Sequence, residues 1–172
     1  EEFLIRAAAL MNEEKASAII RHITYTKLDR RYKESVLTAY RGKGRLGVNA
    51  MKAEKHLYDH VLYDSTTERN FAAELEADDQ VLMYVKLPKI FTISTPVGRY
   101  SPDWAIIFRP GMAKHRFLIA ETKGSGVSMQ LRMIEESKIH CAREHFRAIC
   151  GDSVAYEVVD SFQTLLDKVM EE

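Results

Sequence analysis

The sequence predicts an α/β domain in the order α-β-β-β-α-β, a mixed sheet flanked by helices, behind a mostly helical N-terminal extension. Three observations carry that expectation. A capped amphipathic helix opens at Ser65, three strand-like runs lie between residues 81 and 123, and a long helix over 129–150 leads into a last strand. The chain has 172 residues, 46% hydrophobic and 29% charged, enough for one domain with an appendage and a sizeable core. Residues 1–62 form the extension in this reading and residues 63–172 the domain.

Glu1–Leu10 and Glu13–Ile23 read as short helices, and residues 24–62 are polar and poorly periodic. Ser65 to Glu76 follows as a helix with Ser65 as N-cap and Phe71, Ala72 and Leu75 on one face. Val81–Lys86 reads as a strand extending through Ile90–Ser94, then Trp104–Phe108 and Phe117–Lys123 as two more. Arg109-Pro110-Gly111 is a turn between the last two. Met129–Cys150 carries Leu131, Ile134, Ile139, Ala142, Phe146 and Ile149 at helical spacing. Val154–Val159 is a strand and Ser161–Met170 a closing helix.

Composition excludes several classes. The chain is neither low-complexity nor disulfide-stapled, and no apolar run nears the roughly 18 residues of a membrane span. Cys141 and Cys150 lie nine apart on one predicted helix. That is about 13 Å along its axis, too far for a disulfide, so reduced thiols and a cytoplasmic setting are expected. The chain opens Glu-Glu-Phe-Leu without Met or a basic leader, which reads as a piece of a longer, non-secreted protein.

Net charge is zero, with 25 basic and 25 acidic residues, but it is unevenly spread. Residues 21–55 hold ten Lys or Arg against Asp29, Glu34 and Glu54, a net +7. Such a segment suits a polyanion or, more blandly, a solvated surface. Within it, Gly42-Lys43-Gly44-Arg45-Leu46-Gly47 matches a dinucleotide fingerprint only literally, since no βαβ unit surrounds it. A basic loop touching phosphates through Lys43 and Arg45 is the better reading. His140, Cys141 and His145 share a helix but fall short of four ligands, so packing is expected there.

Pro102-Asp103 and Glu121-Thr122-Lys123 carry the chemistry. If residues 109–115 connect two antiparallel strands, a turn centred near 112 sets Asp103 opposite Glu121, on one face with Lys123. Opposed carboxylates repel unless a cation sits between them, and hard Mg²⁺ takes carboxylate oxygens while keeping waters for chemistry.

These residues resemble the Pro-Asp…(Asp/Glu)-x-Lys signature of the restriction-endonuclease-like nucleases. Ser65 through Ala72, Lys86-Leu87-Pro88, Thr95 through Trp104, Glu121 through Gly124, and Glu135 through Phe146 extend the likeness. In that order they resemble the C-terminal nuclease domain of the Res subunit of type III restriction enzymes.

The resemblance implies a restriction-endonuclease-like core and Mg²⁺-dependent hydrolysis of double-stranded DNA, with Asp103, Glu121 and Lys123 catalytic. Asp103 and Glu121 would hold the metal, and Lys123 would orient the attacking water or offset phosphate charge. It further implies ATP used by an upstream helicase domain, a methyltransferase (Mod) partner, and no membrane. Glu68 matches a helix acid that completes such a site, yet Ser65-x-x-Glu68 is equally a capping box. Glu135 and Lys138 sit one helical turn apart on the long helix, where an intrahelical ion pair and contact with the site or DNA are both open. Two other functions compete: a nuclease of another helicase in repair or defence, and a noncatalytic DNA-binding module.

Overall fold

The computed structural model describes residues 2–20, 22–29, 33, 37, 42–111, 117–122 and 129–171. Helix α1 spans Glu2–Ile20 as one element of 19 residues, where two short helices were expected. Neither Pro nor Gly interrupts Met11-Asn12, so nothing breaks the backbone ladder there. Two strands, β1 (Ala50–Lys52) and β2 (His60–Leu62), pair antiparallel, with Ala50 facing Leu62 and Lys52 facing His60. Three residues are too few to display a period of two, so sequence pattern gave no sign of them. Ala53 and Val61 nevertheless enter the same apolar cluster as Phe71 and Trp104.

One glycine of the cluster, Gly44, has a packing cause. A Cβ on Gly44 would lie 2.3 Å from Leu62 Cδ2 and 2.8 Å from Ala50 Cβ, so only glycine lets this loop press against β1 and β2.

Helix α2 (Thr66–Ala77) begins as expected, with Ser65 Oγ accepting the Glu68 amide at 3.1 Å and Phe71, Ala72 and Leu75 buried. Strand β3 (Val81–Lys86) stops at Lys86 and does not run on through Ile90–Ser94. Pro88 has no N–H for the ladder. The chain leaves the sheet, and β4 (Ile93–Thr95) pairs instead with β5 (Gly98–Tyr100) as a separate antiparallel ribbon.

Strands β6 (Trp104–Phe108) and β7 (Phe117–Thr122), helix α3 (Met129–Cys150), strand β8 (Val154–Val159) and helix α4 (Phe162–Glu171) fall close to the expected ranges. A 3₁₀ turn over Gly151–Ser153 joins α3 to β8.

The main sheet has the order β3-β6-β7-β8, antiparallel except for the parallel pair β7–β8. Parallel neighbours need a crossover, and α3 supplies it. Alternation along β8 covers both faces: Val159 joins the cluster of Phe71, Leu75, Trp104, Phe162 and Leu165, while Tyr156 joins Ile139, Ala142 and Phe146. The result is a mixed α/β architecture.

On α3, Cys141 is buried and His140 exposed, while His145 meets Tyr25 edge-on at 5.0 Å. Both cysteines are free thiols, as their spacing requires. Among the described residues no group of three His, Cys, Asp or Glu is arranged to hold a metal. No helix among the described residues is long and apolar enough to cross a membrane.

Candidate active site

The site lies where β3 ends, β6 begins and α2 starts. Leu87 N donates to Asp103 O at 2.7 Å, tying the end of β3 to the residue before β6. Trp104 pairs with Ala120 and Ala105 with Ile119. Asp103 precedes Trp104 and Glu121 follows Ala120, so the backbone brings both to one end of the β6–β7 hairpin. This is the register that a turn centred near residue 112 requires. The Glu121 side chain and all of Lys123 lie outside the described residues.

Asp103 Oδ2 accepts two bonds from Thr122, one from its amide at 2.9 Å and one from its hydroxyl at 2.7 Å. Burial pushes the Asp103 carboxyl above the ordinary aspartate range, and the Thr122 hydroxyl and amide pull it back. Glu68 is close enough for its charge to push Asp103 further up, and Lys86 opposes that push.

Glu68 does two things at once. Its amide is capped by Ser65, and its Oε2 reaches back to the Asp64 amide at 2.6 Å, one residue earlier than a capping box prescribes. The same Oε2 accepts from Lys86 Nζ at 2.7 Å. Lys86 also contacts Asp64 Oδ2 at 3.2 Å and holds that carboxyl below its ordinary range. His56 Nε2 accepts the Lys86 amide at 3.1 Å, and burial keeps its ring pKa below the usual imidazole value.

Lys86, Asp64 and Thr122 were not singled out as functional by sequence reasoning. Lys86 lies 18 positions from Glu68, and no local spacing reveals such a pair. The short word Lys86-Leu87-Pro88 was the available signal, since a lone cation ended an otherwise apolar strand.

A cleft of about 560 Å³ opens beside this pair. Gly42 and Gly44 line it together with Asp64 and Lys86, which brings the basic loop next to the acidic end of the sheet. Lys43 and Arg45 are both exposed there, and Asn49 Oδ1 accepts the Arg45 amide at 2.8 Å. Glu135 and Lys138 are half-buried on α3.

Comparison with known proteins decides the family. The profile of the family described as "Endonuclease domain" matches residues 54–162, more than half of the chain. The chain belongs to this endonuclease family. Over 112 residues, 63% of the chain, it is 32% identical to the Res subunit of the type III restriction-modification enzyme EcoPI of Escherichia phage P1. The EcoP15I Res subunit of Escherichia coli matches at the same identity and coverage. The endonuclease domain spans 11% of the length of either relative. No solved structure matches it.

The donor chemistry of this endonuclease domain fits a hard cation. Asp103 and Glu68 supply carboxylate oxygens, and burial together with mutual repulsion disfavours the Asp103 charge in a way that a cation would relieve.

Proposed function

We propose that this chain is the nuclease domain of a type III restriction-modification enzyme, hydrolysing phosphodiester bonds in double-stranded DNA with Mg²⁺. The observation that carries the reading is the hairpin register, which brings Asp103 and Glu121 to one end of β6–β7 with Glu68 close by. The order α2-β3-β6-β7-α3-β8 supports a restriction-endonuclease-like core within residues 63–172, behind a basic extension at 1–62.

In this reading Asp103, Glu121 and Glu68 hold the metal. Bound there, it supplies a Lewis acid for the scissile phosphate and an acidified water. Thr122 fixes the Asp103 carboxylate through two donors to Oδ2, so the orientation of the group is set before any ion arrives. Lys123 orients the attacking water or offsets charge building on the phosphate. An upstream helicase domain using ATP and a methyltransferase (Mod) subunit that reads the site complete the enzyme, which acts in the cytoplasm. The test is cleavage of duplex DNA by the assembled enzyme: chelation by EDTA stops it and Mg²⁺ restores it. Undiminished cleavage in EDTA rejects the reading.

Lys43 and Arg45, together with Lys138 on α3, bind the DNA backbone in this proposal. Nothing in the glycine-rich loop resembles a helix that could read base edges. Removing one phosphate-binding cation should lower the salt slope of duplex binding by about 0.9. The Lys43→Ala/Arg45→Ala double variant, titrated from low salt, is therefore expected to show a shallower slope, equally so on unrelated sequences. An unchanged slope would make the loop an ordinary solvated surface.

A further inference from the structure

The acidic end of the sheet carries its own cation. Lys86 Nζ lies 2.7 Å from Glu68 Oε2, and the two side chains keep only 16% and 13% of their surface exposed. Its charge also acts on Asp103, against that of Glu68. The ammonium thus contacts the helix carboxylate that the nuclease reading assigns to the metal.

Glu68 Oε2 also accepts the Asp64 amide at 2.6 Å, so both of its lone pairs are engaged while Lys86 holds it. Lys86 has somewhere to go: Asp64 Oδ2 is already 3.2 Å away, and the Asp64 side chain is 65% exposed. A flexible four-carbon stem bearing a compact point charge suits such a transfer better than the rigid fork of an arginine.

We propose that Lys86 is a resident counter-ion of the Glu68–Asp103 pair. In the metal-free domain it holds Glu68 in place, and it yields Glu68 to a divalent cation by shifting onto Asp64. Lys86 is then a positioning residue, acting through Glu68, and this rests on the metal-dependent reading above. The domain can fold without metal because the half-buried carboxylate already has a partner. The same partner competes with the metal and weakens its binding.

The experiment is calorimetric titration of the full chain with Ca²⁺ at pH 8, alongside thermal melting in EDTA and in Ca²⁺. Lys86→Met is expected to melt lower than wild type in EDTA. It should bind Ca²⁺ about tenfold more tightly, because a competing charge is gone. Its melting temperature should accordingly rise more on Ca²⁺ addition than that of wild type. If Lys86→Met does not fold in EDTA, Lys86→Gln keeps a hydrogen-bond donor without the charge, and the same tightening is expected of it.

Glu68→Gln closes a double-mutant cycle. On that background the Lys86 substitution should leave affinity unchanged, since no carboxylate remains to be handed over. A purely structural lysine would lower the melting temperature in EDTA and leave Ca²⁺ affinity alone. That result, or weaker binding, overturns the proposal while wild-type binding leaves the nuclease reading standing. Absence of Ca²⁺ binding by wild type would overturn both.

Discussion

Asp103→Asn is expected to slow Mg²⁺-dependent DNA cleavage by the assembled enzyme about a thousandfold, the loss of roughly 4 kcal/mol of transition-state stabilisation. The same change should stabilise the metal-free domain at neutral pH. Burial holds the Asp103 carboxyl above the ordinary aspartate range, so folding takes up a proton between the ordinary value and the raised one. Stability therefore falls as pH rises through that window, and above it the wild type bears the full cost of a buried charge. Asparagine has no charge to bury, and its amide oxygen can still accept from the Thr122 amide and hydroxyl.

Melting curves in EDTA should accordingly place Asp103→Asn above wild type at pH 7, with the gap closing below the ordinary carboxylate range. Mg²⁺ should raise the wild type and leave the variant where it is. Full cleavage by Asp103→Asn would end the catalytic assignment, and a pH-independent gap would remove its electrostatic explanation.

Trp104→Ala is expected to cost about 3–5 kcal/mol of folding stability, the range for deleting a large buried aromatic. Against a total of roughly 5–15 kcal/mol for a protein domain, that unfolds a substantial fraction of molecules at physiological temperature. Trp104 is fully buried at the start of β6, with its ring 5.6 Å from Phe71 on α2 and 6.1 Å from Tyr84 on β3. Its position directly after Asp103 couples packing to chemistry, because the helix and strand that it joins also carry Glu68 and Lys86. Trp104→Phe keeps most of the packing and should lose less than half as much. Denaturant unfolding of both variants checks this, and a loss in Trp104→Ala no larger than that of a surface substitution would refute the role given to the ring.

The parts of this molecule legible in its sequence are those whose cause is local. Ser65 followed by Glu68 and the Phe71, Ala72, Leu75 face announce α2, because capping and helical period act within a few residues. Pro110-Gly111 with apolar runs on either side announces the β6–β7 hairpin, and a hairpin turn sets its own register. The pairing that brings Asp103 and Glu121 to one strand end could thus be worked out before any fold was known.

Other features depend on residues distant in the chain, and only the tertiary structure decided them. Strands β1 and β2 exist because Val61 and Ala53 find Phe71 and Trp104, not because three residues prefer to be extended. The run from Val81 to Ser94 divides at Pro88, since β5 offers Ile93–Thr95 a partner outside the main sheet. Gly44 stands in its loop because Leu62 and Ala50 leave no room for a Cβ. The ion pair of Lys86 with Glu68 joins a strand end to a helix start, and no periodicity along the chain encodes that pairing. Local propensity and turn chemistry were enough to announce the strand ends that carry the acids, whereas the company those acids keep was chosen by packing of α2 across β3 and β6.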